Sequence, residues 1–323
     1  MINIAIIGFG VVGSATYDVT IQNAKLIEKR VGDSVKVKKI LDIRDFDDHP
    51  ARVLLTKNFE DLTNDPAISI VVESMGGLHP AYEFTKAALM SGKSVVTSNK
   101  ELVAVHGQEL TDIAKQNKVN YLFEASVGGG IPIIRPLKQC LAANEIEEIF
   151  GILNGTTNYI LTKMREEGKP FAEILKEAQA KGYAELNPTA DIEGYDTGRK
   201  ISILSWIAFG KGVEIEKIDR KGISGITAED IEKAKAAGCA IKLIGRAKLV
   251  DGEVRCTVAP EIIPLGDPLA RVDDVYNAIV VRGNFVGDAM FYGQGAGGKA
   301  TASAVMSDVI EIARFIAAHR TRA

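Results

Sequence analysis

Ile4-Ala5-Ile6-Ile7 is a short apolar run closed by Gly8, and glycines 8, 10 and 13 then keep a G-x-G-x-x-G spacing where a helical pattern begins. Few sequence features restrict a fold so tightly. A strand, a glycine turn and a helix in that order predict a dinucleotide-type βαβ unit. Gly8 allows the tight turn, Gly10 lets backbone approach a pyrophosphate, and Gly13 permits close packing of helix on strand. Phe9, Val11 and Val12 complete the turn. The helix N-terminus would offer N–H groups and a positive dipole end to phosphates. The alternative is a glycine turn that only packs, and the flanking strand and helix speak against it.

The first third of the chain repeats this grammar. Residues 11 to about 30 read as one helix, and 35–43, 68–73, 94–97 and 120–124 as further strands. Residues 79–91 carry a helical pattern, with Pro80 near its start and Gly92 just past its end. Apolar strands separated by helices predict an α/β fold with a parallel sheet, a Rossmann dinucleotide-binding domain over 1–132. After Pro132 the order changes. Helices are expected over 133–143, 157–168, 171–181 and 197–210. Residues 241–250 and 253–259 then read as a hairpin turned by Asp251-Gly252, and 277–291 as another strand pair. This predicts an α+β second domain over 133–298. A final helix, amphipathic over 301–320, is expected within 299–323 to pack back on the Rossmann domain.

A chain of 323 residues has room for two cores. The net charge of −3 gives no basic surplus, which argues against a nucleic-acid partner. Three scattered cysteines, Cys140, Cys239 and Cys256, form no Cys-x-x-Cys pair and fit reduced thiols. The N-terminus shows no basic leader or cleavage site, and the longest apolar run, 201–209, is too short to span a bilayer. A cytoplasmic protein with no membrane partner is expected.

Ligands of open parallel sheets bind beyond the carboxyl ends of the strands. The second strand ends near Asp42 and Arg44. An acid there suits the ribose of NAD and an arginine the extra phosphate of NADP, so both remain open, with a lean to NADP. A solvated charged loop is the plainer account of Arg44. Ser74, Lys100 and the glycine-rich 124–132 segment follow later strands. Lys100 reads equally as a nicotinamide-side group or as an exposed lysine starting a helix.

Residues 182–200 are the densest polar stretch. Asp196 and Lys200 are four apart and share a helix face. A lysine in a first turn, and buried, would have its pKa pushed down and could trade a proton with a substrate hydroxyl. A surface ion pair is the competing account, offset by the crowd of acids beside it, which would suit a substrate ammonium. The 154–158 segment fits capping of a helix, and 293–298 fits a plain loop or one closing over a cofactor. No histidine has a partner motif, and no Cys/His metal cluster is seen.

Taken together, these segments resemble homoserine dehydrogenases. The resemblance covers nearly the whole chain. It rests on G-F-G-V-V-G at 8–13, Ser98-Asn99-Lys100, F-E-A-S-V-G-G-G-I-P-I-I at 123–134, G-I-L-N-G-T-T-N-Y-I-L at 151–161, G-Y-A-E…D-I-E-G-Y-D…R-K at 182–200 and G-Q-G-A-G-G…T-A-S-A-V at 293–305. It implies interconversion of L-homoserine and L-aspartate 4-semialdehyde with NAD or NADP, on the route to threonine and methionine. It implies Lys200 as the general acid–base, held by Asp196, with Lys100 as a second functional lysine. Implied substrate contacts are Thr156, Glu185, Asp191, Asp196 and Lys200. Implied cofactor contacts are Gly8, Phe9, Gly10, Val11, Val12, Gly13, Ser74, Lys100 and Gly297, to which the strand-end reading adds Arg44. A sodium ion is implied at Glu124 and at backbone around Val127, Gly129 and Ile131, and a homodimer through the second domain.

Two departures from the family's pattern are expected to matter. The chain ends at Ala323, where many relatives continue into an effector-binding domain, so feedback through such a domain is not expected. Ala190 stands where some relatives carry a second acid. Two rival functions remain. A semialdehyde dehydrogenase would need a thiolate, and Cys140 reads as mid-helix and core-like. A non-catalytic NAD(P)-binding sensor would not need both lysines and the acid cluster.

Overall fold

The computed structural model describes residues 1–320, which fall into two compact units. One comprises Met1–Gly130 with the segment from Gly297 onward, and the other Ile131–Ala296.

The first unit is a six-stranded parallel sheet of order β3-β2-β1-β4-β5-β6. Its strands are β1 (Ile2–Ile7), β2 (Val35–Leu41), β3 (Leu55–Thr56), β4 (Ile68–Glu73), β5 (Ser94–Thr97) and β6 (Tyr121–Leu122). Its helices are α1 (Val11–Gln22), α2 (Ala24–Val31), α3 (Glu60–Thr63), α4 (Ala81–Met90) and α5 (Lys100–Gln116), followed much later by the C-terminal helix Gly298–Arg320. Strand order reverses between β1 and β4, which opens a crevice at their carboxyl ends. Ile4, Ile6, Ile70 and Val72 fill the sheet's interior. Val305, Val309 and Ile312 of the C-terminal helix join the same core, at the three-to-four spacing of one helical face.

Three expectations here are corrected. The helix foreseen over 11–30 is interrupted at Asn23, whose ψ of 16° leaves the helical region; asparagine competes with helix geometry through local hydrogen bonds. The second strand stops at Leu41, because the Asp42 carboxylate turns back to accept N–H bonds from Phe9 and Arg44. The fifth expected strand shrinks to Tyr121–Leu122. Beyond it Glu124–Ser126 forms a 3-10 turn, closed by Ser126 N–H and Oγ both donating to the Phe123 carbonyl.

The second unit is a mixed sheet of order β12-β11-β7-β9-β10-β8. Its strands are β7 (Ile146–Ile152), β8 (Asp219–Arg220), β9 (Cys239–Val250), β10 (Glu253–Pro264), β11 (Tyr276–Gly283) and β12 (Gly287–Gln294). Its helices are α6 (Gly155–Glu167), α7 (Phe171–Ala180), α8 (Thr189–Ile192), α9 (Tyr195–Phe209) and α10 (Ala228–Ala236). The β9–β10 hairpin turns at Asp251-Gly252 as expected, with both residues at positive φ. Helix α9 lies close on β9. A Cβ on Gly245 would come within 2.7 Å of Thr197 and 3.0 Å of Leu153, so only glycine permits that approach.

Other expectations for this unit are revised. The helix foreseen over 133–143 is a single π turn, Pro136–Cys140. Pro136 has no N–H to donate into a helix, and Leu141 N–H reaches back five residues to the Pro136 carbonyl. Cys140 is therefore exposed rather than core-like. Helix α9 starts at Tyr195, two residues earlier than foreseen, because Gly194 at φ 78° turns the chain directly into it. Lys200 consequently stands in the second turn, not the first. Strand β7 at the middle of the sheet, β8 and α10 had not been recognised.

Candidate active site

The glycine turn of the first unit has the form a dinucleotide needs. Gly8 sits at φ 86°, and a Cβ on Gly13 would lie 2.0 Å from the Gly8 carbonyl, so helix and strand meet there without a side chain between them. A Cβ on Gly10 would meet only the Arg44 guanidinium, at 3.9 Å, so backbone is open to approach from outside. Gly10 caps α1 without a side-chain hydrogen bond, which leaves the helix end to an anion. Phe9 is buried edge-on against Tyr17, Phe46 and His49, whereas Val11 is exposed. Ser74 Oγ donates to the Gly8 carbonyl at 2.8 Å and braces the turn. Gly298 packs against Val11, beside Gly297 at φ 110°, so the last glycine loop runs along the start of α1.

Asp42 takes the Phe9 N–H at 2.7 Å and a two-point contact from Arg44, Nε to Oδ1 at 3.0 Å and Nη2 to Oδ2 at 2.9 Å. The Arg44 side chain foremost, with the Arg44 and Phe9 N–H groups, holds the Asp42 carboxyl down at about 2. The guanidinium lies 5.1 Å from the Phe46 ring and is largely exposed. Across the crevice, Glu73 ends β4 fully buried, and burial raises its carboxyl above the usual range. Asn99 Oδ1 caps α5 at the Leu102 N–H, and Lys100 is the first residue of that helix, half-buried.

Glu124, Val127 and Gly129 lie in this unit, with Glu124 buried and its N–H given to Asp308 at 2.8 Å. Ile131 opens the other unit. Among the described residues no group of three or more His, Cys, Asp or Glu could hold a metal ion, so backbone carbonyls would have to supply most ligands of any cation there.

The second unit gathers the polar segments that lay far apart in sequence. Lys200 Nζ donates to the Leu153 carbonyl at 2.7 Å and pairs with Asp196 Oδ2 at 2.8 Å. Both side chains are under one tenth exposed, so the pair is not a solvated surface bridge. Asn154 joins the parts. Its Oδ1 caps α6 through the Thr157 N–H, and its Nδ2 donates to Asp196 at 2.9 Å and to Asp191 at 2.7 Å. Thr156 Oγ1 donates to the Tyr183 carbonyl at 2.7 Å, which ties α6 to the start of the acidic stretch. Glu185 is exposed on that stretch, with its carbonyl held by Gln179. Asn154 thus holds the carboxylates of Asp191 and Asp196 together beside the Lys200 ammonium.

Asn154 and the Leu153 carbonyl had not been singled out as site groups. The cap expected in 154–158 was a hydroxyl, whereas Asn154 is the capping residue; a capping asparagine spends its oxygen on the helix and keeps two N–H donors for other partners.

Comparison with known proteins identifies a family. Residues 132–310 match the family model "Homoserine dehydrogenase" and residues 8–124 match "Homoserine dehydrogenase, NAD binding domain". The chain is 42% identical to homoserine dehydrogenase of Bacillus subtilis over 96% of its length and 72% of the relative's. It is similar to the solved homoserine dehydrogenase of Thiobacillus denitrificans, with a TM-score of 0.93 and 44% identity over 98% of this chain and 74% of that one. A hyperthermophilic archaeal homoserine dehydrogenase, solved in complex with NADPH, superposes at a TM-score of 0.82, with 31% identity over 96% and 97% of the two chains. Family models spanning both units, with relatives of this identity, establish that the chain belongs to the homoserine dehydrogenase family.

Proposed function

We propose that this enzyme interconverts L-homoserine and L-aspartate 4-semialdehyde with Lys200 as general acid–base, on the route to threonine and methionine. The observation that carries the reading is the buried Lys200–Asp196 pair, bridged by Asn154 to Asp191. Asp196 and the Leu153 carbonyl fix the direction of Nζ. In the oxidative direction Lys200 takes the proton of the substrate's C4 hydroxyl, and in the reductive direction it returns one to the aldehyde oxygen. Asp191 and Glu185 receive the substrate ammonium, and Thr156 lines the same side at the start of α6. Lys100 polarises the reacting oxygen or holds the nicotinamide. The bound nicotinamide cofactor supplies the two-electron chemistry that no side chain here can perform.

The turn at Gly8–Gly13, with Ser74 and Gly297 beside it, is the cofactor's seat in this reading. Arg44 decides its preference. Asp42 already accepts Phe9 N–H and Arg44, so its oxygens are engaged, while the exposed guanidinium stands beside Gly10 where a ribose phosphate would lie. That favours NADP over NAD. A sodium ion held by Glu124 and the carbonyls of Val127, Gly129 and Ile131 is part of the proposal. A homodimer and a cytosolic setting complete the proposal, the latter in keeping with three free thiols. The test is cofactor reduction on adding L-homoserine, run with each cofactor. Turnover with a lower KM for NADP is expected. No reduction with either cofactor would sink the proposal, and equal KM values would remove Arg44 as its selector.

A further inference from the structure

Glu73 ends the central strand β4 with its carboxyl fully buried among apolar strands. Burying a carboxyl is costly unless its hydrogen bonds are made. Here both oxygens are engaged, and by neutral donors. Oε1 accepts the Met75 N–H at 2.8 Å, and Oε2 accepts the Thr97 hydroxyl at 2.5 Å. Each bond leads to a different functional element.

The first arm runs to the glycine turn. A Cβ on Gly8 would lie 2.9 Å from Met75 Cγ, 3.0 Å from its N and 3.1 Å from its Cα, so the Met75 backbone forms the wall against which Gly8 turns. The second arm runs to α5. Thr97 Oγ1, while donating to Glu73, accepts the Asn99 N–H at 2.9 Å. Asn99 Oδ1 then caps α5 at Leu102 N–H, and its Nδ2 donates to the Gly77 carbonyl at 2.7 Å. That last bond returns to the loop that follows Glu73. The two strand-end loops are thus locked in one closed circuit, and Lys100 is the residue directly after Asn99.

We infer that Glu73 is a positioning residue for the reaction, setting the dinucleotide turn through Met75 with one oxygen and the Lys100-bearing end of α5 through Thr97 with the other. The second arm rests on the role proposed above for Lys100; the first does not. An apolar side chain would serve the strand equally well, so burial alone does not account for a carboxyl at this place.

The two arms can be separated with E73L, E73Q, T97V, K100A and the T97V/K100A double variant. Cofactor Kd is read by titration with NADPH and kcat with L-homoserine, and melting temperature reports the fold. E73L should weaken cofactor binding about tenfold and lower kcat about tenfold, the size of one lost hydrogen bond per arm. T97V should lower kcat by a similar factor while leaving Kd within about twofold. E73Q should hold Kd within about threefold, because an amide oxygen still accepts the Met75 N–H. The double variant should turn over no more slowly than K100A.

An unchanged Kd in E73L would overturn the first arm. Losses in T97V and K100A that multiply in the double variant would overturn the second. Parallel falls in Kd, kcat and melting temperature across all variants would mean a merely structural role. Should E73L not fold, T97V must still split kcat from Kd and E73Q must still keep Kd. A K100A variant with unaltered kcat would refute the reading of Lys100 and leave the first arm judged by Kd alone.

Discussion

Lys200 and Lys242 are both buried in the second unit, one bound to the Leu153 carbonyl just before α6 and the other to Asn158 in its first turn, yet they are built for different ends. Lys242 Nζ has three acceptors for its three N–H bonds: Asn158 Oδ1 at 3.0 Å, the Val272 carbonyl at 2.6 Å and Asp273 Oδ1 at 2.9 Å. Asn158 in turn donates to the Val272 and Tyr276 carbonyls, and Arg165 shares Asp273. Burial pushes the Lys242 ammonium below its usual value, against the pull of Asp273. Its cluster is a saturated knot that ties β9, α6 and the loop before β11. The Lys200 cluster instead joins α9 to the start of α6 and to α8, through Asp196, Asn154 and Asp191. Burial of a lysine is therefore no sign of function by itself. The polar segment to which its partners belong is the better guide.

The comparison predicts variants that differ in activity. Lys200→Ala should lower kcat at least about 100-fold, or roughly 3 kcal/mol of transition-state stabilisation, and should also lower the melting temperature, because it leaves the buried Asp196 without its ammonium. Turnover near that of the unaltered enzyme would end the assignment. Lys242→Met should cost stability and spare activity. It strands Asn158 Oδ1 and leaves Asp273 with Arg165 as its cation, and breaking such a buried pair costs several kcal/mol. About 3 kcal/mol is expected, since Asp273 retains some exposure to water; the midpoint of urea unfolding should fall while kcat stays within a few-fold. A Lys242→Met protein that is stable but inactive would reverse the two roles.

The same contrast shows what the sequence could reveal. The first unit was largely legible because parallel strands buried on both faces read as unbroken apolar runs such as Ile68–Glu73, each followed by a helix. The second was legible where local chemistry dictates structure, as at Asp251-Gly252. It was not where pairing is remote. Strand β7 holds Glu147 and Glu148 among its apolar residues, and Glu148 is tolerated inside the sheet only because Arg246 and Arg282, about a hundred residues on or more, bind it across neighbouring strands. In the site, Lys200 and Asp196 were visible as a four-residue spacing. Asn154 and the Leu153 carbonyl were not, since nothing local shows that α6 begins beside α9. Lys242 stood within an apolar run, Ala240 to Ile244, with no hint of the acceptors that surround it.

Asp42 and Arg44 in the first unit lie between the two cases, a buried acid braced by an exposed cation. The pair can be separated into its structural and ligand-binding shares by pH. The Asp42 carboxyl is held at about 2, below its ordinary 3.8, chiefly by the Arg44 side chain. A depressed carboxyl stabilises the folded state fully above its unfolded value and loses that contribution as pH falls through the folded one. Because Arg44 is more than half exposed, solvent screens the interaction, and about 1 kcal/mol is the expected size. Asp42→Asn should therefore be less stable than the unaltered chain by about that amount near neutral pH, and the gap should close between about pH 4 and pH 2. Urea unfolding of both proteins across that range checks it. If the gap is still full at the acid end, the ion pair is not its source. If there is no gap at any pH, the pair contributes nothing to the fold, and Arg44 is held beside Gly10 only for what the turn binds.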